Sequence, residues 1–548
     1  MIMNFMNISY FFCCFLFLFF FLFYFTFMYL FGNSFSVLFS YVFFVFNGCS
    51  MYFLLYFSFF NLFVVLVVLF VSFMIYLYIN YYMKCDINLL VFLKLLFFFV
   101  FSMFMFLVMP SIFGCLFGWD GLGLTSYFLV IYYNNIKSLN SGLFTIMINR
   151  LGDFFILLSL SFTYFFDDTL FFSCYLYFDF GVLLLFLMIS SMTKSAQMPF
   201  SSWLPKAMSA PTPVSSLVHS STLVISGFYL IFNFNYYYCD LNFFLVYFSI
   251  LTSFLSCIIM MYEFDLKKLV AMTTLTQISY MFIGFGLGFS FESFFHMLVH
   301  AMYKSILFMC SGYLIYFNFG NQDFRFFNIG AIFCPMFSKF FFMLNMSSIG
   351  FPFFGGFYSK DGMIGMFLMS EINLVYILFF YASLFFFFLS TFRILHFVFN
   401  MGSSVIIFND YFNLMIFVIF FMFFFMVFSG HFFFLFFNNY DMVYLNLYLK
   451  VVNFYYLLFS FYLYVFYFRF CDTFYLVYYL FYFVYMEKFY NYYIFNNFIY
   501  TFCLYILFID SWLNIFTYKD FFLFMAYLSV YVNLFFFSLS VLMFFMMF

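Results

Sequence analysis

No charged side chain occurs before Lys84, and runs such as FFCCFLFLFFFLFYFTFMYL and FFFLSLSVLMFFMMF offer water almost nothing to hold. A soluble domain needs polar surface that keeps pace with its volume, and a chain 69% hydrophobic and 7% charged cannot supply it. In lipid, backbone amides must be satisfied within the fold, which leaves helices or closed barrels. Barrel strands alternate apolar and polar residues at period two, and these runs do not. The expected fold class is therefore all-α, a polytopic membrane protein. One span takes about 20 apolar residues, so the chain has length for roughly 14–17 transmembrane helices.

The choice of apolar residues is unusual, with 123 Phe and 51 Tyr. Packing does not demand it, and nucleotide bias in a small AT-rich organellar genome accounts for it. The chain opens on membrane spans without an Arg/Ser-rich amphipathic leader. Synthesis inside an organelle is the expectation from both features. Twelve cysteines are scattered without C-x-x-C or Cys/His spacing, so they read as small apolar residues and not as metal or disulfide sites. A net charge of -2 says nothing of partners, and no basic run suggests nucleic acid. Loop charges are too sparse for a positive-inside argument about orientation.

Four sections follow from the hydropathy pattern. Residues 1–87 supply N-terminal transmembrane helices, three of them within the charge-free residues 1–83. A first five-helix repeat occupies 88–235, with spans near 88–108, 110–133, 140–164, 182–208 and 213–234. A second occupies 241–400, with spans near 242–262, 268–289, 291–317, 329–366 and 374–399. The fourth member of each is broken, near 194–206 and near 350–361. Residues 401–548 hold C-terminal helices, a lateral amphipathic helix over about 472–520 and a final span over about 521–547.

The breaks draw attention to function. Pro199, Pro205, Pro211 and Pro213 crowd between Lys194 and His219. The second break reads IGFPFFGGFYSKDG, with Lys360 and Asp361 beyond its glycines. Irregular backbone and buried charge at membrane depth are tolerated where they line a polar path. Paired interrupted segments in two halves point to a transport site. Around them stand further ionisable residues. Asp120 lies among glycines in FGCLFGWDGLGL, and Lys194 is its natural counter-charge. Arg150 and Asp153 are three apart on one helix face, as a static salt bridge or part of a path. His219, in a run of hydroxyls, suits a relay. His296, His300 and Lys304 recur every four residues, a single file suited to a proton wire. HMLVH lacks the glutamate of a H-E-x-x-H zinc site. Arg393 and His396, on the last helix of the second repeat, are weaker relay candidates. Asp265 and Lys267 read, on their own, as interfacial charges.

The segments GWDGLGLTSYFL, NRLGDFFIL, KSAQMPFSSWLPKAMSAPTPVSSLVHSST, DLKKLVAMTTLTQISYMF, FHMLVHAMYKSILFMCSG, NQDFR and GFPFFGGFYSKD run in order over about 110–365. Together they resemble the subunit 5 family of mitochondrial NADH:ubiquinone oxidoreductase (respiratory complex I), which includes the bacterial L subunit and cation/proton antiporter subunits. The resemblance implies a hydrated chain of charged residues along the membrane midplane that moves protons. By motif match Asp120 takes the place of the family's glutamate and Lys194 that of its broken-helix lysine. Asp153, His219, Asp265, Lys267, His296, His300, Lys304 and Lys360 fall on its proton-path positions. It implies no cofactor or metal in this chain, since NADH, FMN, iron–sulfur clusters and ubiquinone belong to other subunits. It implies as partners the other membrane-arm subunits, notably a neighbouring antiporter-like one, and membrane lipids, in the mitochondrial inner membrane. Three positions depart from the family pattern: Asp120 for Glu, Lys206 for an acid and Ala210 for Gly. The alternatives are a stand-alone cation/proton antiporter subunit and a structural subunit with weakened pumping. Co-purifying NADH dehydrogenase activity separates the first from the main reading.

Overall fold

Short polar interruptions decide where the apolar chain becomes helix. Ser58 accepts a hydrogen bond from the Asn61 amide (3.3 Å) and Ser111 one from the Gly114 amide (3.1 Å), satisfying donors that a helix start leaves open. At helix ends, Gly288 and Gly350 take φ of +91° and +94°, a region that glycine enters without steric cost. The structure is a computed structural model. It describes residues 36–46, 49–84, 86–165, 180–234, 242–318, 320–326, 335–351, 354–369, 374–399 and 414–437, with positions 16, 24, 459, 460 and 462.

After a hairpin, β1 (Val37–Phe46) and β2 (Cys49–Phe57), come α1 (Phe59–Tyr82), α2 (Leu89–Val108), α3 (Ile112–Ile131) and α4 (Ile136–Phe165). The first broken segment is α5 (Phe180–Lys194) and the short α6 (Trp203–Ala207), followed by α7 (Thr212–Asn233). The second repeat runs α8 (Asn242–Met260), α9 (Leu266–Gly286), α10 (Ser290–Phe317), the broken pair α11 (Pro335–Ile349) and α12 (Gly355–Met369), then α13 (Leu374–Phe399). Next comes α14 (Leu414–Phe437). Among the described residues, nine helices are long and apolar enough to cross a membrane. The lateral helix expected over 472–520 and the final span over 521–547 lie outside the described residues.

The hairpin corrects the expectation of helices throughout residues 1–83. β1 and β2 pair antiparallel, with Val37 opposite Phe57, Phe46 opposite Cys49 and a register shift between Val42 and Phe44. A short apolar run cannot be assigned to helix or strand by periodicity alone. The arbitrating signal was the Asn47-Gly48 pair between runs rich in Val, Tyr and Phe, the sequence that two-residue hairpin loops favour.

The charged helices sit centrally. The spanning windows of α7, α9 and α10 are buried throughout, whereas those of α3 and α4 are about half buried. Lipid cannot solvate Lys, His or Gln, so the helices that carry them pack against protein on every side. α10 is the axis, touching α1, α7, α9, α11, α12 and α14. Tyr78 of α1 donates to the Met309 carbonyl of α10 at 3.2 Å, a cross-link between two apolar helices.

Candidate functional site: a file of buried ionisable side chains

The first group forms where α3, α4 and α5 meet. Lys194 is the last residue of α5 and is fully buried. A helix C-terminus carries partial negative charge, which suits an ammonium. Its Nζ donates to the Trp119 carbonyl at 2.7 Å and lies 3.7 Å from the centroid of the Trp119 ring. Asp153 and Asp120 are the carboxylates whose charges act on it. The expected pairing of Lys194 with Asp120 is not a direct ion pair: the ammonium meets the carbonyl one residue before Asp120. Arg150 and Asp153 do pair, at 3.1 Å, with Arg150 half exposed and Asp153 turned inward. Gly152 and Gly227 let α4 and α7 press against the last turn of α5, where an added methyl would lie 2.3 Å from Thr193 Oγ1 and 2.5 Å from the Ser191 carbonyl.

His219 lies on α7, in a stretch of π-helix, Ser215–Thr222. Sequence reading did not foresee this wide turn. Its cause is local: Pro213 lacks an N–H, and the hydroxyls that follow bind backbone carbonyls, as Thr222 does with Leu217 at 2.8 Å. Such bulges recur at functional sites. The His219 ring is buried, packs edge-on to Trp203 with centroids 6.1 Å apart, and neither ring nitrogen meets a hydrogen-bond partner among the described residues.

Lys267 and Asp265 part company. Lys267 turns inward, buried, and donates to the Ala210 carbonyl at 3.1 Å, so the second repeat reaches the broken segment of the first. Asp265 stays at the helix start, pairs with Lys268 at 2.7 Å and lies opposite Asp323. The structure therefore places Asp265 in a surface clamp that joins it to Asp323 through a β-bridge.

The second group follows α10. Lys304 Nζ donates to Thr273 Oγ1 at 2.6 Å. His300 is fully buried, with both ring nitrogens unpartnered among the described residues. His296 stands 2.9 Å from Ser359 Oγ through Nδ1 and 3.2 Å from Gln277 Oε1 through Nε2. With the amide assigned this way, Nε2 carries the hydrogen and Nδ1 accepts from Ser359. Ser359 precedes Lys360, so the file on α10 meets the second broken helix there. Lys360 donates to the Ser348 and Ile349 carbonyls at 3.3 and 3.0 Å. It thus satisfies the end of α11 across the break, with its ammonium 4.5 Å from the Phe387 ring centroid. Asp361 follows it on α12. A small cavity beside His296 and Lys360 has about 10 Å³ in which the centre of a water molecule fits, lined also by Tyr280, Gly284 and Met363. That is room for about one water.

Sequence reading missed Thr273, Gln277 and Ser359. The first two were detectable, as polar residues four apart on one face of an apolar span; Ser359 was not. Arg393 stands outside the file. It donates to the carbonyls of Met260, Met261 and Glu263 and so closes the C-terminal end of α8. His396, one turn further along α13, is only partly buried.

Residues 109–386 match the family model described as NADH:quinone oxidoreductase/Mrp antiporter, TM. NADH-ubiquinone oxidoreductase chain 5 of Locusta migratoria is 41% identical over 313 residues, 56% of this chain and 55% of that protein. The chain 5 of Anopheles arabiensis is 42% identical over 306 residues, 55% of this chain and 80% of that protein. For the Locusta protein and several others like it, the chain spans about half of the relative's length. Among solved structures, the Mrp complex from Dietzia sp. DQ12-45-1b is similar in fold, with a TM-score of 0.66 at 20% identity over 78% of this chain and 50% of that one. The archaeal membrane-bound sulfane sulfur reductase is similar too, with a TM-score of 0.64 at 19% identity over 73% of this chain and 85% of that one. The family model spans half of the chain, residues 109–386: the chain belongs to the NADH:quinone oxidoreductase/Mrp antiporter transmembrane family.

Proposed function

We propose that this chain is a proton-translocating subunit of the membrane arm of respiratory complex I, in the mitochondrial inner membrane. Oxidation of NADH by ubiquinone in other subunits, which also hold FMN and the iron–sulfur clusters, drives the protons. This chain carries no redox step. A neighbouring antiporter-like subunit passes the conformational or electrostatic signal to it, and lipid surrounds its outer helices.

One observation carries the reading. Ionisable side chains from both repeats are buried within the helices, Lys194 and His219 in the first and Lys304, His300, His296 and Lys360 in the second, which supports a proton file through them. Bringing a carboxylate toward a buried ammonium favours its charged form, and withdrawing the carboxylate favours proton release. Asp120 and Asp153 stand near enough to Lys194 to act in this way without locking it in a direct pair. A proton released there travels toward α10, where the imidazoles of His300 and His296 accept at one nitrogen as they release at the other. Lys304 and Lys360 hold protons between cycles, each already anchored by oxygen acceptors.

The test is Lys194→Ala in the assembled complex, assayed for NADH-driven proton movement across the membrane. Most of that movement should be lost. Pumping that persists at the wild-type level sinks the proposal.

A further inference from the structure

The file on α10 has a fourth member. Glu292 lies four residues before His296, so Glu292, His296, His300 and Lys304 recur every four positions on one helix. Each such step turns about 40° around the helix, and the contacts follow that drift. Lys304 faces Thr273 of α9, His296 faces both Gln277 of α9 and Ser359 of α12, and Glu292 lies against Gly362 of α12. Its carboxylate lies against Gly362, where a Cβ would come 2.7 Å from Oε2. A methyl there would make the end of the acid shift; Gly362 directly follows Lys360 and Asp361 on α12.

Glu292 is 7% exposed, yet it is the third residue of α10. Gly288, four residues earlier, is exposed and opens onto free space. Lys304 lies about 18 Å further along the helix, near mid-membrane for a hydrocarbon core of about 30 Å. Glu292 is therefore the outermost ionisable group of the file, next to the end of the bundle. Among the described residues, His296 follows it one turn along its own helix, and Asp361 precedes the Gly362 it lies against on α12. On the α1 side lie Phe60, against Phe291 and Phe294, and the Asn61–Tyr229 hydrogen bond.

We propose that Glu292 is the terminal proton carrier of this chain, exchanging protons between the His296–Lys360 end of the file and the membrane face where α10 begins. This rests on the proton-translocation reading above. In each exchange the carboxyl O–H gives its proton to the file and the carboxylate takes one from water, or the reverse, with no other bond changed. The cavity lined by His296 and Lys360 has room for about one water at the inner end of this exchange.

The experiment compares Glu292→Gln, Glu292→Asp, Gly362→Ala and Lys194→Ala in membrane vesicles holding the assembled complex, with NADH-driven proton movement as the readout. Glu292→Gln keeps the shape and removes the titrating group. Its rate should fall by about tenfold or more, and Glu292→Asp should recover most of the loss, which a merely structural role would not require. A wild-type rate in Glu292→Gln, with Lys194→Ala inactive, overturns the assignment of Glu292 and leaves the proposed function standing. Wild-type rates in both overturn both. Should Glu292→Gln fail to assemble, Gly362→Ala decides: its methyl displaces the carboxylate from its niche, so a slowed rate supports the proposal and an unchanged rate overturns it.

Discussion

Gly227→Ala puts a methyl group where the Lys194 site is tightest. Ser191 O and Ser195 N are joined by the 3.0 Å hydrogen bond that closes the last turn of α5. A Cβ on Gly227 would lie 2.5 Å from that oxygen and 3.0 Å from that nitrogen. Carbon contacts are comfortable at about 3.5 Å, so α7 must retreat from α5 by about 1 Å. Both neighbours are backbone, so no side chain can swing aside. Overpacking of this kind costs about 1–3 kcal/mol. The functional penalty is larger, because Lys194 reaches the Trp119 carbonyl at 2.7 Å from that same turn. A displacement of about 1 Å in a positioned group can cost on the order of 10²-fold in rate. The assay is thermal inactivation of the assembled complex together with NADH-driven proton uptake into vesicles. Gly123→Ala is the matched control, since a methyl there meets nothing nearer than Asn149 Cβ at 3.9 Å. The variant should lose both stability and pumping while the control keeps both. If Gly227→Ala behaves like Gly123→Ala, the tight-contact argument is wrong.

Two further outcomes separate the file from its scaffold. Arg393→Gln removes a buried cation from the carbonyls of Met260, Met261 and Glu263, and should destabilise the complex by about 1–3 kcal/mol for each carbonyl left unsatisfied. Complex that still assembles should pump at its normal ratio of protons to NADH, and a lowered ratio would return Arg393 to the proton path. Thr273→Val keeps side-chain volume but takes from Lys304 its 2.6 Å acceptor. Pumping should slow and the complex should lose about 1.5–3 kcal/mol of stability, since a buried ammonium is left without this acceptor, measured by the same vesicle and melting assays.

Much of the architecture was legible because lipid leaves the backbone few choices. Unbroken apolar runs bounded by polar residues become spans, so the helices between residues 89 and 399 begin and end close to where hydropathy changes. The hairpin at residues 37–57 was missed because an aromatic, β-branched run satisfies either structure, and the Asn47-Gly48 pair between the runs was the signal that separates them. The π-helical turn at His219 was missed because it depends on which carbonyls the serine and threonine hydroxyls reach.

For the site, sequence alone determined which residues are chemically exceptional. Lysine, histidine and carboxylate are so costly among these apolar helices that their positions stand out without coordinates. Spacing of four along α10 also told which of them share a face. What only the tertiary structure decided is their partners. Lys194 meets the Trp119 carbonyl in place of Asp120, Lys267 reaches Ala210, and Lys360 closes the end of α11. Arg393 anchors α8, and Glu292 joins the file through the gap at Gly362. These outcomes depend on fractions of a side chain's reach between helices far apart in sequence, and on two glycines that let the backbones touch. Periodicity along one helix carries no information about that separation.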